Sequence, residues 1–267
     1  KAGELISRNI KLRGMKSVEP KIGEYGLRAE SARSVQKTFF SFLFFIALLF
    51  FSACAIKTAK FTTSELRSNS AQTKLLILEP HVAIHEVSMG GAIEPKADWT
   101  EAGTKNIIQA LKDTFQDRNV TIKFHKNTSE QSDANTQTLK LFQTVGKSIY
   151  NHYYVPRQNL PSKKKFNWSV GNTLSGFGDQ FNPDYVLYVY MEDTHSSSGR
   201  VALGVVTYIL FGHVTPAGMQ QGIAFLVDTN SGEVVWFNRL MGESFGDVRE
   251  LKTTKVAIQN LLSEFPK

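Results

Sequence analysis

The apolar and polar positions divide the chain into two parts with different patterns. Residues 39–51 form an apolar run of thirteen positions without a charge, whereas from Lys74 onward short apolar segments alternate with polar ones and with turns that contain glycine or proline. A helix needs roughly 20 apolar residues to cross a bilayer, so thirteen are too few for a permanent span. The pattern predicts a short hydrophobic segment followed by a folded domain.

The period of the apolar positions predicts the elements of that domain. Alternation at every second residue indicates strands, and a spacing of three or four residues indicates helices. The predicted elements are a strand from Lys74 with an edge or a bend at Pro80, a helix from Asp98, a strand over 120–125, a helix over 135–150, a strand over 185–190, a hairpin turning at 228–232 and a helix over 248–265. Residues 153–178 show no period and form either a long connection or an irregular helix.

The pattern also assigns side chains to the ends and faces of the helices. Asp98 is the predicted N-cap of the first helix, and Glu101 three residues later completes a capping box. The apolar face of the last helix is predicted to pack against a sheet. Its members are Leu251, Val256, Ile258, Leu261 and Leu262.

The strands set the fold class. Residues 185–190 are apolar on both faces, which is typical of a central strand. Two apolar strands flank Asp228–Gly232, where Asp and Asn favour a turn and Gly tolerates a positive φ. The sequence therefore predicts an α/β protein, with α+β as the alternative, built on one mixed β-sheet with packed helices.

An apolar segment bounded by glycines, Val201–Phe211, allows two interpretations. It is either a strand or helix of the core, or a surface element that docks on a membrane or a partner, because contiguous apolar surface is rarely exposed without a use. In the second interpretation the contact residues are Leu203, Val206, Ile209 and Leu210.

The apolar run at residues 39–51 is preceded by basic residues and ends at Ser52-Ala53-Cys54, which contains the single cysteine of the chain. This arrangement resembles a bacterial lipoprotein signal, although Phe51 stands where leucine is commonest. The resemblance implies cleavage after Ser52 and Ala53 and a lipid on Cys54, which would hold the protein on a membrane. The alternative is an uncleaved membrane helix in which Cys54 is a bystander thiol.

These patterns predict four regions: a disordered basic leader over 1–38, the signal segment and lipobox over 39–54, a flexible tether over 55–73, and a periplasmic α/β domain over 74–267. The charge follows this division. The chain has 31 basic and 24 acidic residues, but residues 1–54 hold nine of the basic and four of the acidic ones. The remainder is nearly neutral, so we expect no nucleic-acid partner despite the basic total.

No arrangement of side chains predicts catalysis, a metal or a cofactor. His81 and His85 have a spacing that suits metal binding on a helix, but on a strand it separates them by about 13 Å. Asp193, His195 and Ser196 are triad residue types in nearly adjacent positions, which rarely converge on one point. The expected catalytic set, metal set and cofactor are therefore none.

The turn at Asp228–Gly232 followed by Glu233, Val234, Val235 and Trp236 looks like the hairpin of bacterial envelope lipoproteins. These include activators of penicillin-binding proteins and curli-secretion lipoproteins. The resemblance implies a non-enzymatic, lipid-anchored protein that acts through an envelope protein partner at the periplasmic face of the outer membrane, with the inner membrane as the alternative. The oligomeric state stays open. The competing hypothesis is a periplasmic hydrolase or ligand-binding protein whose site is assembled from distant residues.

Overall fold

The structure is a computed structural model that describes residues 59–61, 65, 66, 72–125, 133–174, 181–213, 218–242 and 246–267. These residues belong to Lys57–Lys267, one of two compact units into which the chain divides. They form eight strands and four helices: β1 (Lys60–Phe61), β2 (Thr73–Leu78), β3 (His81–Val87), β4 (Ile93–Pro95), α1 (Ala97–Gln116), β5 (Val120–His125), α2 (Asp133–Tyr154), β6 (Tyr185–Ser196), α3 (Ser198–Phe211), β7 (Gly218–Asp228), β8 (Val234–Gly242) and α4 (Leu251–Leu261).

The strands form one mixed sheet, which confirms the predicted fold class. Its order is β1-β8-β7-β6-β2-β5, and β3 and β4 lie off this path. β2 is parallel to β5 and β6, and β3 is parallel to β6, whereas β7 is antiparallel to both β6 and β8. β6 is thus the central strand, as its two apolar faces predict.

The predicted bend at Pro80 separates β2 from β3 along one edge of β6. β2 pairs with the start of β6, at residues 185–187, and β3 pairs with its second half, at residues 190–196. Proline lacks a backbone N–H and cannot donate to the ladder, so the pairing with β6 is interrupted there, although both strands run parallel to β6. β6 can therefore be twelve residues long while its neighbour on this side is divided.

Each face of the sheet has its own hydrophobic core, because successive side chains of β6 point to opposite faces. Tyr185, Leu187 and Val189 face α1 and α4, whereas Val186 and Tyr188 face α2. The predicted helix over 135–150 is confirmed as α2. The tether predicted over 55–73 lies mostly outside the described residues, but Lys60 and Phe61 within it pair with β8.

The predicted cap of α1 is wrong. The helix begins at Ala97, and its N-cap position is Lys96, which has an extended backbone and makes no side-chain capping bond. The Lys96 amide instead donates to the Ile84 carbonyl, 2.9 Å away, so contact with β3 fixes the entry of the chain into the helix. Asp98 lies in the first turn, where a carboxylate interacts favourably with the helix dipole.

The predicted face of the last helix also needs correction. Leu251 and Val256 are exposed, while Ile258, Leu261 and Leu262 are buried as expected. Val256 is only two positions from Ile258, which places it on the opposite side of a helix with 3.6 residues per turn. Thr254 and Ala257 complete the buried face instead.

The predicted hairpin is confirmed between β7 and β8. The Asp228 carboxylate accepts hydrogen bonds from the Asn230 and Ser231 amides, at 2.9 and 3.2 Å. Gly232 has a φ of 69°, and a Cβ at this position would collide with the Gly171 carbonyl. The turn therefore requires glycine for its backbone conformation and also for the close approach of residues 169–171.

Candidate functional site

Helix α3 connects the end of β6 to the start of β7. Its first turn is capped by Ser197, whose Oγ accepts a hydrogen bond from the Arg200 amide. It ends at Gly212, which has a left-handed φ of 69° and donates its N–H to the Tyr208 carbonyl. Fourteen residues at 1.5 Å each give a helix about 21 Å long.

The orientation of α3 is the reverse of that expected for a surface helix. The residues partly covered by the domain are Arg200, Gly204 and Thr207, which are polar or small and lie on one stripe. The large apolar side chains off this stripe are 46–73% exposed: Val201, Leu203, Val205, Val206, Tyr208, Ile209 and Leu210. Phe211, four residues after Thr207, continues the stripe at the end of the helix and is 70% exposed. The interpretation of this segment as a core element is therefore wrong, because none of its residues is buried.

The exposed apolar surface extends beyond α3. Met89, in the turn between β3 and β4, lies beside Gly199, and Ile93 and Met219 are also exposed. Strand pairing places all three at the end of the sheet from which α3 starts. We call α3 with Met89, Ile93 and Met219 the apolar end.

The predicted contact residues share one side of the apolar end. Leu203, Val206, Ile209 and Leu210 follow at three- and four-residue spacings, or next to each other, and all are exposed. Their role in a contact stays a prediction. The predicted lipidation site, Ser52-Ala53-Cys54, lies outside the described residues. Within the described part of the chain, no helix has both the length and the apolarity needed to cross a membrane.

A cluster that the sequence did not predict lies where β6 and β7 pair next to the α3 connection. Asp193 is 3% exposed, and its Oδ2 accepts hydrogen bonds from Gln220 Nε2 and the Val248 amide. His195 Nε2 is 3.0 Å from Asp193 Oδ2 and 3.6 Å from Asp247 Oδ1, but it is not aligned for a hydrogen bond to either. Asp247 follows β8, so it is distant in sequence from Asp193 and His195.

The guanidinium of Arg249 offsets the charge of Asp247 in this cluster. The Arg249 guanidinium donates to both carboxylate oxygens of Asp247, at 2.6–3.0 Å, and stacks on the Trp99 ring. Burial alone would raise the pKa of Asp247, but the hydrogen bonds from Arg249, together with electrostatic interactions with His195 and Arg249, hold that pKa below its usual value.

Donor atoms of Asp193, His195 and Asp247 lie within 4.8 Å of one another, a spacing that one cation could bridge. Arg249 already supplies a positive charge there, so the arrangement is that of an ion-pair network. Ser196 points to the opposite face of β6 from Asp193 and His195, as alternation on a strand requires. The three residues therefore form no triad.

The opposite face of the sheet contains a cavity of about 160 Å³ next to α2. His81 stacks on Tyr190 with ring centres 5.4 Å apart, and Lys147 and Tyr188 also line the cavity. Burial, and then the Lys147 ammonium, lower the pKa of His81, and burial raises the pKa of both tyrosines. At neutral pH the cavity is therefore lined by the Lys147 ammonium, a neutral His81 ring and protonated tyrosine hydroxyls. These groups suit the binding of a small ligand.

Comparisons with known proteins give only distant likenesses. No known family profile and no curated protein matches the chain. Among solved structures it is similar to a PelC dodecamer from Paraburkholderia phytofirmans, at 11% identity and a TM-score of 0.34 over 79% of this chain and 100% of that one.

Lipoprotein GNA1162 from Neisseria meningitidis gives 12% identity and a TM-score of 0.28 over 63% of this chain and 81% of that one. The LpoB C-terminal domain from Salmonella enterica gives 11% identity and a TM-score of 0.25 over 66% of this chain and 87% of that one. These identities and scores are too low to transfer a role.

Proposed function

We propose that the protein is a non-enzymatic, lipid-anchored protein of the bacterial cell envelope that acts through contacts made by its apolar end. The observation that carries this proposal is the orientation of α3. A helix that turns its polar stripe toward its own domain leaves its apolar side chains in water. Exposed apolar patches of this kind mark sites of protein or membrane contact.

The proposed anchor is a lipid on Cys54, attached after removal of the segment that ends at Ser52-Ala53. Support comes from the apolar run over 39–51, the small residues before Cys54 and the absence of any other cysteine in the chain. We place the domain at the periplasmic face of the outer membrane, with the inner membrane as the alternative. An envelope protein partner fits the same proposal.

Site-specific photo-cross-linking in cells tests this function. A photoreactive residue at Leu210 should form adducts with a component of the envelope, whereas one at Val256 should not. Val256 is a matched control because it is an exposed apolar residue on a helix that lies outside the apolar end. Equal cross-linking at both positions, or none at either, would contradict a contact made by α3.

The cavity beside α2 supports a second candidate function, the binding of a small anionic ligand with an apolar body. Lys147 has no carboxylate partner among the described residues, and it lies beside Tyr150, Tyr188 and Ile223 in the lining. Ligand-observed NMR with small aromatic carboxylates tests this candidate. Binding that is lost in Lys147→Met would support it, and unchanged signals in both proteins would refute it.

A further inference from the structure

We propose that the apolar end docks on a lipid bilayer and lies in its interfacial region. This inference rests on the proposed function, because it names the occupant of the same contact surface. Three observations carry it: the chemistry of the exposed side of α3, the length of that helix, and the direction of β1 relative to the apolar end.

The exposed side of α3 offers few groups that would fix the orientation of a protein partner: beyond Ser198 in its first turn, only the Tyr208 side chain is polar. Its one charged residue, Arg200, belongs to the partly covered stripe, and Thr207 on that stripe donates to the Gly204 carbonyl within the helix. Protein interfaces usually carry about one hydrogen bond per 100–200 Å². An exposed side with so few hydrogen-bonding groups fits a fluid lipid phase, which requires no defined orientation.

The length of α3 fits a helix that lies in the plane of the membrane surface. At about 21 Å it is shorter than the roughly 30 Å hydrocarbon core, so it cannot span. Interfacial helices bury their apolar side about 5–10 Å deep. Tyr208 and Phe211 add aromatic rings, and aromatic side chains with a polar group are favoured at the membrane interface.

The register of β1 gives the direction of this strand relative to the apolar end. Lys60 pairs with Phe237 and Phe61 with Trp236, so Ala59 lies on the side of Lys60 toward Gly242. Gly242 pairs with Gln220, and Gln220 pairs with Asp193 near the end of β6, where α3 begins. Ala59 therefore lies on the side of Lys60 that is nearer to the apolar end.

The distance to the proposed anchor agrees with this geometry. Cys54 is six residues before Lys60, and six residues reach at most about 20 Å. From the level of Phe237 to that of Gly242 the sheet extends about 17 Å, at roughly 3.3 Å per residue. A lipid on Cys54 can thus hold the apolar end against the bilayer in which the lipid is inserted.

Depth-dependent fluorescence quenching tests the inference on the full, processed protein. The variants Ile209→Cys and Val256→Cys carry an environment-sensitive label, and the proteins are reconstituted in vesicles of phosphatidylethanolamine and phosphatidylglycerol that contain spin-labelled lipid. Label at position 209 should be strongly quenched, and label at 256 should not. The substitutions Val206→Ser and Leu210→Ser, added to the Ile209→Cys variant, should weaken this quenching. The partitioning of the label into the vesicles, calculated from the quenching, should fall at least about tenfold.

Three outcomes would overturn bilayer docking. In the first, the label at 209 is equally shielded with and without vesicles, which would indicate that another segment of the chain covers α3. In the second, shielding rises with protein concentration in the absence of lipid, which would indicate a second copy. In the third, the label stays in water although mass spectrometry finds the lipid on Cys54. That last result would leave the proposed anchor intact and reject only the docking of α3.

Discussion

Polar substitutions in α3 should have little effect on stability. Ile209 is 73% exposed and Val206 is 49% exposed, so folding removes only about a quarter to a half of their surface from water. Full burial of such a side chain contributes about 1.5–3 kcal/mol, and Val206→Ser and Ile209→Ser should each cost less than about 1.5 kcal/mol. Ile258→Ser, at a fully buried position of α4, should cost about 3–5 kcal/mol through lost burial and a cavity.

Urea titration provides the measurement. Trp236 is fully buried, so its emission reports the loss of the core as the protein unfolds. The double variant Val206→Ser with Ile209→Ser should keep the unfolding midpoint within the range of the control Val256→Ser, whereas Ile258→Ser should shift it far lower. A loss from the double variant as large as that from Ile258→Ser would refute the exposed orientation of α3.

Three further predictions concern the anchor, the core and pH. Mass spectrometry of protein extracted from membranes should find an acylated N-terminal peptide that begins at Cys54, and peptides from residues 16–37 in the mature species would contradict cleavage. Deletion of Val248–Lys267 should uncover one face of the sheet and cause aggregation, and unchanged cooperative melting would show that α4 is dispensable. Burial lowers the pKa of His81 and His125 below 6.5, so the unfolded chain takes up protons first and the free energy of unfolding should fall as the pH drops below about 6.5. The variant His81→Gln with His125→Gln should reduce this slope in urea titrations, and an unchanged slope would exclude these rings as its source.

The elements were predictable because their signals are local. The apolar side chains on both faces of residues 185–190 indicate a central strand. The Asp228–Gly232 sequence indicates the hairpin, because the residues that favour a turn are adjacent in sequence. The cap at Asp98 was not predictable, because contact of Lys96 with Ile84 decides where α1 begins. Long-range pairing thus overrides a local capping preference.

The candidate sites were less accessible to sequence reasoning. Asp193 and His195 stand next to each other on one face of β6, but Asp247 joins them only because β7 and β8 bring the chain back beside that strand. The cavity likewise draws His81, Lys147 and Tyr190 from three elements. The exposure of α3 depends on which of its sides meets the domain, and an apolar segment bounded by glycines does not specify that.

Residues 196–217, which include α3, link two strand positions that are already paired, since His195 lies opposite Gly218. The whole segment is therefore an oversized hairpin loop, and a turn of a few residues could close the same ladder without changing its register. Loop closure becomes less favourable by about 0.6 kcal/mol for each doubling of loop length. The segment is consequently a separable module: it can be shortened, exchanged or grafted onto another hairpin while the sheet beneath it keeps its pairing.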